Sequence, residues 1–433
     1  MIAENLGINE KGHLTLAGQD TVCLAEKYQT PLYLFDGDRI RQNCRLYRKA
    51  LTEAFGEEAL PLYAGKAACF THIYRVMREE GMGIDVVSLG EVYTAKNANF
   101  PLQNAYFHSN NKTDRDIREA MDLGVGTFVA DNREEVDAIN REAVLRGVKQ
   151  RVLLRLTPGI DPHTYAAVAT GRVDSKFGSA IETGQAEEFC RYASLQAGID
   201  LRGFHCHVGS QVFDADVFVR SARIMLTFIA EMKQKYGFET AELDLGGGFG
   251  VPYLASHPTP DVAGIIRDLA LDMKKTAKDL GIPLPQIRME PGRSIVADAG
   301  MTLYTVGTVK RIPGYRNYVS VDGGMADNPR YALYRSPYTV LSAERPAFEG
   351  ETFEASVVGR CCESGDILQE GVTLPADIGR GEILAVLTTG AYNYSMASHY
   401  NRLPNPPVVM LKEGKSFVAV RRETEEDLLR NDL

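Results

Sequence analysis

The stretch PLYAGKAACF (61–70) sets Lys66 behind an apolar run. A buried ammonium is costly unless it is paired or neutralised. Either the strand ends at Gly65 and Lys66 reaches water, or Lys66 is an amine nucleophile that condenses with a carbonyl. The stretch itself leaves both open. FHCHVGSQ (204–211) alternates, which puts His205 and His207 on one face. A histidine pair can bind metal, but no third ligand is evident beside it, so a packed or hydrogen-bonded pair is the simpler reading and no metal is expected. His207 could also lie flat on a planar cofactor, with Ser210 donating to its phosphate. DLGGGFGVPY (244–253) offers Gly246, Gly247 and Gly248 after a strand-like run, where backbone N–H groups can approach a phosphate. Val251 stands where a dinucleotide fingerprint needs its third glycine, Pro252 opposes a helix there, and no Lys-Ser/Thr pair follows. That leaves a small phosphate or a plain tight turn.

MEPGRS (289–294) carries a second set. Glu290 could keep a pyridine nitrogen protonated, which makes a pyridoxal ring a strong electron sink. Gly292 suits a phosphate and Arg293 a carboxylate. The alternative is a surface Glu–Arg pair in a turn. Further on, DNPRYALY (327–334) offers Arg330 and Tyr334, and TTGAYNYSMASHYN (388–401) is rich in tyrosine. CCESGDIL (361–368) offers Cys362, Glu363 and Asp366. A thiol can act as an acid and a carboxylate can hold a substrate ammonium, although each of these segments could be an ordinary loop.

The elements that must position these groups follow a pattern. Apolar runs at 61–64, 83–87, 105–108, 126–130, 151–156, 201–207, 242–245 and 286–290 alternate with helical stretches. One such stretch begins at the capping-type Asp131 and Asn132 and places Val136, Ile139 and Val144 at helical spacing. Continuous apolar strands alternating with helices imply a parallel sheet under helices, and eight of them predict a (β/α)₈ TIM-like barrel over 36–300. In that fold the site lies at the strands' C-terminal ends. There the chain carries Lys66, Asp85, His108, Arg155, His207, the 246–248 glycines and Glu290. After about residue 300 the texture is strand and turn without long helices, ending in a hairpin-like VVMLKEGKSFVAV. This predicts a β-barrel or sandwich domain over 301–433 that includes the N-terminal segment 1–35, through PLYLF (31–35).

At 433 residues two domains are the default. A net charge of −9 argues against a nucleic-acid partner, and no basic run suggests a membrane surface. No apolar run is long enough to span a bilayer, and the N-terminal residues lack the apolar stretch of a secretion signal. Seven cysteines without regular spacing suggest neither a zinc site nor a disulfide framework, so a cytoplasmic location is expected.

Taken together, YAGKA, HVGSQ, GGGFG, EPGR, DNPRYALY, CESGD and GAYNYSMASHYN resemble the fold-type III pyridoxal-phosphate decarboxylases, and among them the diaminopimelate decarboxylase branch, from about residue 20 to 420. The resemblance implies decarboxylation of meso-2,6-diaminopimelate at its D centre to L-lysine and carbon dioxide. It implies that Lys66 carries pyridoxal phosphate, that His207 stacks on its ring, and that Glu290 pairs with the ring nitrogen. Ser210, Gly247, Gly248, Gly292 and Tyr392 surround the phosphate, with Asp85, Arg155 and Arg293 nearby. Arg293, Arg330, Tyr334, Glu363 and Tyr392 hold the substrate. Cys362 is the acid, on a CESGD loop that completes the partner's site in a homodimer. The chain departs from the branch at Ala68 and Leu89. Cys361 beside Cys362 leaves a choice of thiol that CESGD settles on Cys362. A decarboxylase of D-ornithine or D-lysine would make poor use of Arg330 and Tyr334. A non-catalytic pyridoxal-phosphate binder would have no need of Cys362.

Overall fold

The computed structural model describes residues 2–160 and 173–433. They divide into two compact units, one formed by Cys44–Gly250 with Pro260–Gly292, the other by Met1–Asn43, Val251–Thr259 and Arg293–Leu433. The sequence pattern puts the cuts at 35/36 and 300/301 and keeps 251–259 with the barrel.

In the first unit, eight strands run parallel: β1 (Leu60–Ala64), β2 (Gly83–Val86), β3 (Ala105–Phe107), β4 (Thr127–Ala130), β5 (Gln150–Thr157), β6 (Ile199–His205), β7 (Glu242–Asp244) and β8 (Gln286–Met289). They pair in sequence order, and β8 returns to β1 through Arg288↔Leu60 and Met289↔Pro61, which closes a barrel. Each of the eight apolar runs overlaps one strand. The reason is physical: β2, β3 and β4 are buried at every position, so they read as unbroken apolar runs with no alternation. A two-residue strand, Ser179–Ala180, adds to the edge of β5 at Leu156 and Thr157. It is too short to leave a pattern in the sequence.

Side-chain caps start the covering helices. Ser88 accepts the Glu91 N–H to begin Leu89–Asn97, and Thr113 with Asp116 forms a capping box for Asp114–Asp122. Asn132 caps Arg133–Leu145 by accepting the Glu135 N–H, a contact worth about 1 kcal/mol. Asp131, the other capping-type residue, instead accepts the Gly178 N–H at 2.9 Å. Leu62, Tyr106, Val129 and Leu153 fill the barrel interior. Near the strand starts, the Arg288 Nε–H donates to the Tyr106 hydroxyl (3.0 Å), which donates to Glu242 Oε2 (2.8 Å).

In the second unit, one sheet runs in the order Ile367–Pro375, Thr352–Val358, Asn317–Val321, Gly300–Arg311, Leu32–Asp36, Val408–Lys412, Lys415–Val420. Val340–Ser342 pairs with Ile383–Leu387, which pairs with Gly300–Arg311. The N-terminal PLYLF run is a central strand, antiparallel to Gly300–Arg311 and parallel to Val408–Lys412. Leu32 and Leu34 enter a core with Met301, Leu303, Val409 and Leu411. The hairpin joining the last two strands turns through Glu413 and Gly414, both at positive φ (49° and 73°), the geometry that matches strand twist. Among the described residues, no helix is long and apolar enough to cross a membrane.

Candidate active site

At the C-terminal mouth of the barrel, β1 stops at Ala64 and Lys66 sits in the 3₁₀ turn Gly65–Ala67 with its side chain exposed. The lysine is therefore not a buried strand residue. A Cβ at Gly65 would fall 2.3 Å from the Tyr74 hydroxyl and 3.1 Å from Asp85 O, so a larger residue would have to displace Tyr74.

Behind this turn lies a buried polar cluster. Glu290 directly follows β8. His205 ends β6, Asp244 ends β7 and His108 follows β3. One ligand-type atom from each of these four residues lies within 4.8 Å of the others. His205 Nε2 hydrogen-bonds Glu290 Oε2 at 3.3 Å, while His108 Nε2 lies 2.7 Å from Glu290 Oε1 and 3.8 Å from Asp85 Oδ1. The residue types would suit a metal, but each histidine's Nε2 lies against a different oxygen of Glu290, at 2.7 and 3.3 Å. Burial pushes the Glu290 carboxyl up, yet His108 and His205 hold it well below the usual carboxylate range. Burial, with the Glu290 charge beside it, drives Asp244 well above that range. Burial also depresses His205 to about 4, so a neutral ring donates its Nε2–H to an anionic Glu290. Asp85 is raised by burial, with His108, Lys66 and Arg155 pulling it back. Glu290 Oε1 lies 2.7 Å from His108 Nε2 but makes no hydrogen bond of good geometry in this buried setting. An acceptor so placed asks for a donor, such as a protonated ring nitrogen.

His207 is held as a neutral, flat ring. Burial, with Lys66 and Arg155 nearby, lowers its pKa well below the ordinary value. Its Nδ1 accepts the Gly247 N–H at 3.3 Å, which leaves the proton on Nε2. The segments around His207 and the glycines are zipped together: the Val212 N–H donates to Gly248 O and the Gly250 N–H to Val212 O, each at 2.9 Å. Gly248 has φ +114° and a Cβ there would lie 2.2 Å from Gly209 O; at Gly247 it would lie 2.0 Å from Glu290 O. At both positions the missing Cβ lets neighbouring backbone segments pack closely beside His207. Ser210 lies on the same segment as His207, and Gly292 packs against Ala64 at the end of β1. Arg155 on β5 lies 3.9 Å from Asp131 Oδ1 and 4.4 Å from the Phe177 ring centroid. Asp131 is itself fixed through Glu135, whose Oε2 accepts the Asp131 N–H (2.9 Å) and the buried Lys112 Nζ (3.1 Å).

The second unit holds a different constellation. Arg293 Nη1 donates to the Tyr253 hydroxyl at 2.7 Å, and its guanidinium lies 4.7 Å from the Tyr392 ring. Arg330, 3% exposed, donates from Nη1 to the Tyr338 hydroxyl (3.0 Å) and from Nη2 to Ser336 Oγ (2.8 Å). Among the described residues, no carboxylate pairs with Arg330. Tyr334 ends the short helix Arg330–Tyr334, half-buried, without a hydrogen bond to either arginine. Cys362 and Glu363 stand exposed on their loop, which Asp366 anchors by accepting the Cys361 and Met325 N–H groups at 2.7 and 2.6 Å. Cys361 is buried and its thiol is pushed up to about 11 by burial, with Asp366 adding to the shift. That leaves Cys362 as the accessible thiol of the pair.

The structure thus gathers Asp85 and Glu290 with His108, Asp244 and His205. It brings Arg293 close to Tyr392, and Cys362 and Glu363 are exposed on their loop. Asp244, Tyr253, Tyr338, Lys112 and Glu135 were not singled out from the sequence. Only Asp244, two residues before the glycines at a strand end, carried a signal there.

Residues 37–297 match the family described as pyridoxal-dependent decarboxylase, pyridoxal binding domain, which defines the class. The diaminopimelate decarboxylase of Bacillus subtilis (strain 168) is 42% identical over 98% of this chain and 96% of its own. That of Mycobacterium bovis is 38% identical over 97% and 95%. The crystal structure of diaminopimelate decarboxylase from M. jannaschii in co-complex with L-lysine superposes with a TM-score of 0.91 at 33% identity, covering 99% of this chain and 98% of that one. The chain belongs to the diaminopimelate decarboxylases, within the pyridoxal-dependent decarboxylase family. Pyridoxal phosphate fits the residues present: an exposed lysine at Lys66, a buried carboxylate on Glu290 held anionic by two histidines with Oε1 short of a well-aligned donor, a neutral imidazole at His207 and a glycine-rich turn beside it.

Proposed function

We propose that this chain decarboxylates meso-2,6-diaminopimelate at its D centre, giving L-lysine and carbon dioxide in a lysine-forming biosynthetic step. Pyridoxal phosphate supplies, when bound, the electron sink for the pair released as carbon dioxide leaves. Lys66 Nζ holds the cofactor, and His207 presents its neutral ring face to it. Glu290, kept anionic by His108 and His205, holds the proton on the pyridine nitrogen. Ser210, Gly247, Gly248, Gly292 and Tyr392 receive the phosphate, with Asp85, Arg155 and Arg293 setting the charge around it. Arg293, Arg330, Tyr334 and Tyr392 take the far end of the substrate, its second carboxylate on the arginines. Glu363 of the partner subunit takes the distal ammonium, and Cys362 of the partner subunit returns a proton from Sγ to the carbon that lost its carboxylate. This makes the homodimer the active form. The exposure of Cys362 and Glu363 on an anchored loop supports that arrangement, and seven free cysteines suit a reducing cytoplasm.

The observation that carries the reading is Arg330, a buried guanidinium with no carboxylate partner among the described residues. Burying an unpaired charge is costly, so such a group is retained for an anion that arrives with the substrate. The test is a substrate panel. The holoenzyme should turn over meso-diaminopimelate and discriminate strongly against D-lysine and D-ornithine, which leave the arginine donors unpaired. Equal or better turnover of the mono-carboxylates would refute the assignment of the arginines.

A further inference from the structure

Two buried arginines of the second unit meet on one aromatic ring. Arg293 Nη1 donates to the Tyr253 hydroxyl at 2.7 Å, and the Arg330 guanidinium carbon lies 4.6 Å from the Tyr253 ring centroid. Tyr253 is 1% exposed and fixed at both ends of its backbone. Its carbonyl accepts the Thr339 hydroxyl at 2.8 Å and its N–H donates to His257 Nδ1 at 3.2 Å. Its ring meets Tyr338 edge-on at 5.6 Å and 71°. Tyr338 in turn accepts from Arg330 Nη1 at 3.0 Å and from Asn393 Nδ2, also at 3.0 Å.

An aromatic face attenuates the cost of a buried cation but does not neutralise it. The Tyr338 hydroxyl and Ser336 Oγ each accept one Arg330 hydrogen, and a guanidinium carries five. Burial pushes the Tyr253 phenol up, and the two guanidiniums more than reverse this. The ring therefore sits in a field of two positive charges. The arrangement fixes the direction of both forks while leaving donors on Arg330 for an incoming carboxylate.

We propose that Tyr253 is a positioning residue that joins Arg293 and Arg330 into a single receptor for the substrate's second carboxylate, with Tyr338 holding the Arg330 fork. The proposal rests on the diaminopimelate reading above and adds the residues that make its arginine pair selective.

The experiment is steady-state kinetics of the Tyr253→Phe and Tyr338→Phe holoenzymes with meso-diaminopimelate, D-lysine and D-ornithine. The visible absorbance of the bound cofactor and thermal melting are recorded on the same samples. Each substitution keeps the ring and removes the hydroxyl, so KM for meso-diaminopimelate should rise about tenfold, the loss of one hydrogen bond to a charged group. kcat should change much less, and cofactor absorbance should stay as in the wild type, because uniform binding and not the chemical step is weakened. In an Arg330→Lys background the Tyr338→Phe change should cost far less, since its fork is already gone. Unchanged KM in both variants, with the wild type active on meso-diaminopimelate, overturns the inference alone. Loss of cofactor absorbance or a lowered melting point in step with KM overturns it in favour of a purely structural role. Wild-type turnover confined to the mono-carboxylates overturns both the inference and the reading beneath it.

Discussion

Glu135→Gln removes the counter-charge of Lys112, whose side chain is fully buried. Glu135 accepts three donors: Lys112 Nζ at 3.1 Å, the Lys112 N–H at 2.7 Å and the Asp131 N–H at 2.9 Å. Lys112 Nζ also donates to the Val129 and Ser109 carbonyls at 2.7 and 3.1 Å, so the ammonium cannot swing out to water without breaking these bonds. Removing one partner of a buried pair costs about 3–5 kcal/mol, equivalent to roughly 10 °C in melting temperature for a unit of this size. The pH dependence follows from Lys112, whose pKa burial lowers below its ordinary value of 10.5 while Glu135 pulls it back. The unfolded chain binds this proton more tightly than the folded one. Stability therefore rises with pH through the window between the depressed and the ordinary value. Without Glu135 the depression deepens and the window widens downward. The variant should recover part of its loss when the pH is raised from 7 towards 9.5. Lys112→Met in the Glu135→Gln background should also restore stability, because it removes the stranded charge. Thermal melts of the four proteins at both pH values form a double-mutant cycle. A Glu135→Gln melting point within about 2 °C of the wild type, or a double variant less stable than either single one, would refute the reasoning.

Two further changes probe the site. Gly248→Ala places a methyl group 2.2 Å from Gly209 O at a backbone φ of +114°; strain of this kind costs about 1–3 kcal/mol. Titrating the apoenzyme with pyridoxal phosphate should show roughly tenfold or greater loss of affinity, and an unchanged dissociation constant would remove the glycines from the phosphate cradle. Asp366→Ala removes the acceptor of the Cys361 N–H, just before CESGD, and of the Met325 N–H on the segment the loop is tied to. Limited proteolysis should then cut at residues 362–365 faster than in the wild type, with kcat falling alongside. Equal cutting would show that the loop is held by other means.

Much of this architecture was legible because the barrel's chemistry and its packing share one pattern. Parallel strands buried on both faces appear as apolar runs, and this fold gathers polar residues in or just after the ends of such runs, so Lys66, Asp85, Arg155, His207 and Glu290 were expected together before any coordinates. The His108–His205–Asp244–Glu290 cluster was not legible as a unit. Barrel closure, which brings β8 back to β1 beside β7, sets which strand ends converge. FHCHVGSQ alone therefore showed two histidines without the carboxylates they meet. Val251–Thr259 has no periodicity to show that it joins the second unit, and this hid Tyr253. Ser179–Ala180 is below the length at which alternation exists. The CESGD loop was readable as chemistry, but its anchoring by Asp366 depends on a fold that brings Met325 beside it.

The most direct measurement uses meso-diaminopimelate carrying a carbon label in the carboxyl group of its D centre. After incubation with the holoenzyme, the label should leave as carbon dioxide in equal amount to L-lysine formed, with no label in the lysine. Label retained in lysine, or carbon dioxide released without L-lysine, would contradict the assigned reaction.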